Sequence, residues 1–455
     1  MKLVNPSTEE ILGDYVPDAP EQIESKLRAA AEAFVLWRRQ SIEERCRRLR
    51  DLAAALRRDA SDMALIAARE MGKPLAAGEA EVHKCAVVCE HYSQNAAALL
   101  ASQPLTTTGG KAYSRFEPLG PVLGIMPWNF PYWQVLRFAA ATLAAGNVVV
   151  LKHAPNIPGC AQALESAFRE ANFPPGVFVS VRPETNDAAQ RLCADPVIAA
   201  VSVTASERAG AAVAATAGAA LKKTVMELGG SDPFIVLADA DIEFTASAAA
   251  DARCANSGQS CIAAKRFLIE QSVFEKFRDA LVAAMAKRKV GSPFNRATDL
   301  GPLARRDLLD NLQRQVTQSV DAGARLVTGG KRMGSVGFFY PPTILVDVRP
   351  GMAVFDEETF GPVAALTSFG GADEAIEVAN QSRYGLGASI WTRDLPRAEE
   401  LAARLDVGNV FVNAIVRSDP RLPFGGVKSS GWGRELAEAG LKEFTNVKTV
   451  WVGKP

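Results

Sequence analysis

Cys261 ends the run Asn256-Ser257-Gly258-Gln259-Ser260-Cys261. Small, flexible and amide residues leave room for a substrate to approach a thiol closely, so Cys261 is the candidate nucleophile. Any one of seven cysteines is more often a buried structural thiol, so this reading needs partners. One partner is Glu227 in Thr224-Val225-Met226-Glu227-Leu228-Gly229-Gly230, a lone carboxylate among apolar neighbours before two glycines. An apolar setting raises a carboxyl pKa, which suits a general base better than a solvated surface charge. Another is Asn129, bracketed by two prolines in Pro127-Trp128-Asn129-Phe130-Pro131. A stiff loop there would hold the Asn129 amide as a donor to a developing oxyanion, although a plain aromatic loop has the same composition.

The elements that must carry these residues are legible in outline. Residues 21 to 100 are rich in Ala, Leu, Arg and Glu at helical spacing, broken at Gly72-Lys73-Pro74. From 119 onward, short apolar runs alternate with helical stretches, at 122–126, 147–151, 177–181 and 199–203. Such alternation predicts a parallel, doubly wound sheet. A second alternating set at 233–237, 266–269 and 363–366 predicts a second α/β domain, followed by the glycine-rich stretch 425–433. Segments 113–117 and 447–452 read as edge strands available for assembly. The expected division is 1–99 with 119–227 as a dinucleotide-binding domain, 228–438 as a catalytic domain, and 100–118 with 439–455 as a small β oligomerisation element.

Composition excludes several classes. The 455 residues hold 51 Lys plus Arg and 51 Asp plus Glu, so no global field attracts nucleic acid or an anionic membrane. No apolar run approaches the roughly 20 residues that span a bilayer, and the first residues lack a signal-peptide core. Sparse, odd-numbered cysteines suit reduced thiols, and the expectation is a cytoplasmic protein. His83-x-Cys85 and Cys89-x-His91 imitate a metal site, but 83 lies about 200° from 85 on a helix, so four ligands do not converge and no metal is expected.

Taken with Glu357-Glu358-Thr359-Phe360-Gly361-Pro362 and Pro423-Phe424-Gly425-Gly426-Val427-Lys428-Ser429-Ser430-Gly431, these ordered segments resemble the aldehyde dehydrogenase superfamily over essentially the whole chain. The resemblance implies Cys261 as nucleophile, Glu227 activating the deacylating water, and Asn129 with the Cys261 backbone N–H as oxyanion hole. It implies an NAD or NADP cofactor held by Trp128, Lys152, Pro155, Ser206, Glu358 and Phe360, and assembly into a homodimer or homotetramer. Thiolate attack, hydride loss and thioester hydrolysis would then follow in order.

Two departures bear on the cofactor. Ala205-Ser206-Glu207-Arg208-Ala209-Gly210 has alanine where relatives usually carry the first glycine, while Ser206 and a helix N-terminus remain for a phosphate. Pro155 stands where NAD-preferring members commonly place a glutamate, so this position does not repel a 2′-phosphate, and NADP is favoured slightly over NAD. Within the superfamily, Lys152-His153-Ala154-Pro155-Asn156 and Leu228-Gly229-Gly230-Ser231-Asp232-Pro233 are most similar to the shorter bacterial succinate-semialdehyde dehydrogenases. Arg137, eight residues past Asn129 on a helix and so near the same face, is expected to hold a distal substrate carboxylate, with Ser418 or its neighbour Arg417 adding a contact. A CoA-acylating semialdehyde dehydrogenase is the competing enzyme reading, and a non-enzymatic binding protein, which would tolerate loss of Cys261 or Glu227, the competing class.

Overall fold

Val148-Val149-Val150-Leu151 is buried on both faces, as a strand covered by helices on either side must be. In the computed structural model, which describes residues 1–453, it belongs to Val148–His153 in a six-stranded sheet. Across that sheet the strands run Gly431–Trp432, Lys223–Glu227, Ala200–Thr204, Pro121–Met126, Val148–His153 and Phe178–Ser180, all parallel except the first. The order reverses between Pro121–Met126 and Ala200–Thr204, and the carboxyl ends flanking such a reversal form a ligand crevice. Met126 leads there to Asn129, Thr204 to Ser206, and the neighbouring strand ends on Glu227.

The second sheet has seven strands, in the order Arg325–Thr328, Thr343–Val346, Val363–Phe369, Arg266–Glu270, Pro233–Val236, Gly387–Trp391 and Asn409–Val412. Only the first is antiparallel to its neighbour. Its central strands are the apolar runs legible in the sequence, and the segments leading into them carry Gly230, Cys261 and Glu358. The glycine-rich stretch pairs twice: Val427–Lys428 with Tyr384–Gly385 in a separate two-stranded sheet, and Gly431–Trp432 with Met226 and Glu227 in the six-stranded one. This departs from the expected boundary at 438, because residues 431–432 extend the first sheet.

Gln103–Leu105, Gly110–Pro118 and Thr445–Gly453 form a separate three-stranded antiparallel sheet, with Gly110–Pro118 in the middle. Lys454 and Pro455, the last of the 439–455 segment, lie outside the described residues. Among the described residues no helix is long and apolar enough to cross a membrane.

Helices Pro20–Trp37, Ile42–Arg58, Ala60–Met71 and Leu75–Leu99 make the opening, and the break falls at Gly72-Lys73-Pro74. On the last of them, Cys85 and Cys89 are buried while His83 is exposed. The same helix positions the site through Glu81. Its Oε1 accepts the backbone N–H of Tyr132 (2.8 Å) and of Trp133 (2.9 Å), capping helix Trp133–Ala144 just after Asn129. Lys73 neutralises the other Glu81 oxygen and lies 4.1 Å from the Phe130 ring centroid. Glu81→Ala strips two buried N–H groups of their acceptor and leaves the Lys73 ammonium buried without a counter-ion. The expected loss is about 3–5 kcal/mol, read as a lower urea midpoint for unfolding, and an unchanged midpoint would refute the role.

Candidate active site

The nucleophile loop is held in a conformation that side chains seldom adopt. Asn256 (φ 54°), Ser257 (φ 56°) and Gly258 (φ 74°) are successive left-handed residues between helix Ile242–Cys254 and Cys261. Each non-glycine costs of order 1–3 kcal/mol and persists only where the surroundings dictate it. Here they do. Asn256 Nδ2 donates to the Asn129 carbonyl (2.8 Å) and to that of Gln259 (3.1 Å), Ser257 Oγ donates to Gly301, and Arg253 donates to Gly258 (2.7 Å). Gly258 is required by space as well, since a Cβ there would lie 2.2 Å from the Gly361 carbonyl carbon.

Beyond Cys261, Lys265 reaches back and donates to the carbonyls of Ser260 (3.0 Å), Cys261 (2.8 Å) and Ala263 (3.2 Å). Cys261 itself is half-buried. Burial pushes its thiol up to about 12, with nearby Arg137 pulling the other way, so the resting sulfur is protonated and must give up its proton to react.

Asn129 faces this loop. Its Nδ2 donates to the Gln259 carbonyl at 3.1 Å, using one of two amide hydrogens and leaving the other for an oxyanion. Trp128 beside it packs edge-on against Phe360, with centroids 5.9 Å apart.

Glu227 is buried, with one carboxylate oxygen lacking any protein partner. A Cβ on Gly425 would lie 2.8 Å from that oxygen, so glycine is what admits the carboxylate there. Burial raises its pKa well above the ordinary range, and the neighbouring Glu435 carboxylate adds to the rise while Arg137 opposes it. Glu435 is raised by burial too, but it touches the guanidinium directly, so the shared proton resides on Glu227.

The guanidinium of Arg137, expected to hold a distal substrate carboxylate, already has a protein partner. It is buried, ion-paired through Nε with Glu435, 4.0 Å from Glu227 and 4.9 Å from the Phe424 ring centroid. Glu435 lies far along the chain, so helical spacing could not reveal it. Ser418 is buried, and its Oγ accepts from Lys84 Nζ (2.8 Å) and Trp133 Nε1 (3.0 Å), whereas Arg417 is exposed.

The residues expected to hold a cofactor lie on several segments. Lys152 and Pro155 line a cavity of about 410 Å³ with Tyr15, Pro183, Glu184 and Thr185. Burial lowers the Lys152 ammonium, and the ribose or phosphate of a dinucleotide is the kind of partner it lacks. Ser206 caps helix Glu207–Ala219 by accepting from Ala209 N (3.4 Å), which leaves its O–H to donate to a phosphate at the helix N-terminus. Gly210 packs tightly on Leu228, where a Cβ would meet a methyl carbon at 2.3 Å. Glu358 accepts from Gly230 N (2.9 Å) and lies 3.8 Å from Lys265 Nζ. These residues fit a nicotinamide dinucleotide, which Lys152, Ser206 and Glu358 would hold by hydrogen bonds and charge. Glu184 qualifies the argument from Pro155, because it brings a carboxylate to the same cavity from a different segment.

Tertiary structure thus brings Cys261, Asn129 and Glu227 together through groups that sequence reading missed, Glu435, Lys265 and Glu81, while Lys84, also missed, holds Ser418. Some left a trace. Lys265-Arg266 sets two cations before the apolar Phe267-Leu268-Ile269, an odd place for charge unless both are used. Glu81 and Lys84 look like ordinary helix charges.

A family model described as the aldehyde dehydrogenase family matches residues 1–450. The chain is 48% identical over 448 residues to a succinate semialdehyde dehydrogenase [NAD(P)+] of Escherichia coli K12, covering 98% of this chain and 97% of that protein. It is 43% identical over 452 residues to a succinate-semialdehyde dehydrogenase [NADP(+)] of Mycobacterium tuberculosis H37Rv, covering 99% of each. Among solved structures, the Streptococcus pyogenes succinic semialdehyde dehydrogenase in complex with NADP+ superposes with TM-score 0.97 at 35% identity, covering 100% of both chains. The strained thiol loop, the amide facing it and the buried carboxylate are therefore parts of an enzyme: the chain belongs to the aldehyde dehydrogenase family.

Proposed function

We propose that this enzyme oxidises succinate semialdehyde to succinate, using NADP or NAD. The observation that carries the reading is Asn129 bonded to the Cys261 loop together with a buried Glu227 whose raised pKa suits a base for thioester hydrolysis. The names of the relatives support the substrate and the cofactor.

Cys261 releases its thiol proton to water, its Sγ bonds to the aldehyde carbon as the carbonyl π pair moves onto oxygen, and the resulting oxyanion is taken by the second amide hydrogen of Asn129 and the Cys261 backbone N–H. A dinucleotide held by Lys152, Ser206 and Glu358 would supply the hydride acceptor, and once the carbon has lost hydride a thioester stands on Cys261. Glu227, once ionised, draws a proton from water as the water oxygen bonds to the thioester carbon. The C–S bond then breaks, releasing the acid and the sulfur. A buried base held for water favours hydrolysis over transfer to CoA.

Cys261→Ala should abolish oxidation with dinucleotide binding retained. Glu227→Gln should keep a first burst of NAD(P)H and lose steady turnover; loss of the burst as well would place Glu227 earlier in the reaction. Because its pKa is raised, the active carboxylate form of Glu227 appears only as pH climbs through that pKa, so deacylation-limited kcat should rise with pH. Glu435→Gln removes a like charge and frees Arg137 for Glu227, so the rising limb should move to lower pH.

For the cofactor, Pro155→Glu should penalise NADP more than NAD, and Glu184→Gln should favour NADP, both read as dissociation constants by fluorescence titration. Equal effects on the two cofactors would show that this cavity does not face the 2′ position.

We also place the enzyme in the cytoplasm, where its cysteines, all free, stay reduced. Assembly is proposed through the outer strand Thr445–Gly453, whose Val447, Trp451 and Val452 are exposed. Trp451→Lys should then sediment as a smaller species than wild type; the same mass for both would exclude this edge.

A further inference from the structure

Helix Leu75–Leu99 carries a cation, Lys84, that no carboxylate among the described residues neutralises. Lys84 is half-buried, its Nζ lies 4.0 Å from the Trp133 ring centroid, and it donates to Ser418 Oγ at 2.8 Å. The acids nearest to it are committed elsewhere: Glu81 to Lys73 and two backbone N–H groups, Asp419 to Arg421. Arg137, the other cation of this region, is taken by Glu435. One of the three Lys84 hydrogens is used by Ser418, and among the described residues the others have no recorded acceptor.

Ser418 points the same way. Its oxygen accepts from both Lys84 and Trp133 Nε1, which occupies both lone pairs and leaves its own O–H to donate outward. An ammonium and a hydroxyl donor, fixed side by side on an indole, make a receptor for a carboxylate. Trp133 also ties it to the chemistry, because it begins the helix that follows Asn129 and, one turn on, carries Arg137. Burial first, then the positive field of Arg137, lowers the Lys84 ammonium to about 8, as expected of a cation still lacking its anion.

We infer that Lys84, with Ser418, binds the far carboxylate of the substrate and sets the preference for an ω-carboxylated aldehyde. This rests on the proposed semialdehyde activity. Arg137 contributes by holding Glu435 and Glu227, and its charge is offset before any substrate arrives.

The test compares kcat/KM for succinate semialdehyde and for butanal in wild type, Lys84→Met and Lys84→Arg, together with inhibition by succinate. Wild type should prefer the semialdehyde. Lys84→Met should lower that preference by about ten- to a hundredfold, mainly through KM, and weaken succinate inhibition in step. Lys84→Arg should restore most of both. If wild type shows no preference for the carboxylate, the semialdehyde reading itself fails. If wild type prefers the semialdehyde but Lys84→Met keeps that preference, or loses activity on both aldehydes in parallel, Lys84 is not the receptor and the inference is overturned while the reading stands.

Discussion

The buried guanidinium of Arg137 holds two carboxylates together, and much of the site depends on it. Three ionisable groups with almost no exposure to water are costly to bury, and the cost is offset only when charge and hydrogen bonding are closely matched. One guanidinium cannot match two carboxylates. Glu435 takes the direct contact, and Glu227, at 4.0 Å, is left to carry a proton. The mismatch makes Glu227 useful, since a carboxylate fully paired with arginine would be too weak a base for water. The same contact joins helix Trp133–Ala144 to the segment after the glycine-rich stretch, where Phe424 and Glu435 bridge in an antiparallel pair.

A second constraint acts on the thiol loop. Its left-handed residues would relax without Asn129, Asn256, Arg253 and Lys265, so the loop borrows its shape from both sheets. The Asn129 segment is in turn braced from behind by Glu81, whose charge is matched by Lys73. Oxyanion donor and nucleophile are thus positioned by neighbours that do no chemistry. Lys265 also lies close to Glu358, so the group that holds the thiol loop borders the one expected to hold the nicotinamide ribose.

On the cofactor side the balance of charge is local. Lys152 brings a cation, Pro155 is neutral, and Glu184 adds a carboxylate to the same cavity. Discrimination between the two dinucleotides is a difference between such opposing contacts, and no single position decides it.

By itself the sequence determined the chemistry and the outline of the fold. Period and composition suffice to mark the apolar runs 122–126, 147–151, 233–237 and 266–269 as buried parallel strands, because a strand covered on both faces is apolar over most of its length. The glycine-flanked thiol, the lone carboxylate and the proline-bracketed amide are each ambiguous alone and become legible only as ordered segments taken together. What only tertiary structure decided is which charge meets which. Arg137 reads as a receptor until Glu435, from the far end of the chain, is folded against it, and Lys84 reads as a solvated helix charge until Trp133 and Ser418 close around it. Charged side chains reveal nothing of their partners through periodicity, since an ion pair requires proximity in space and leaves no pattern along the chain.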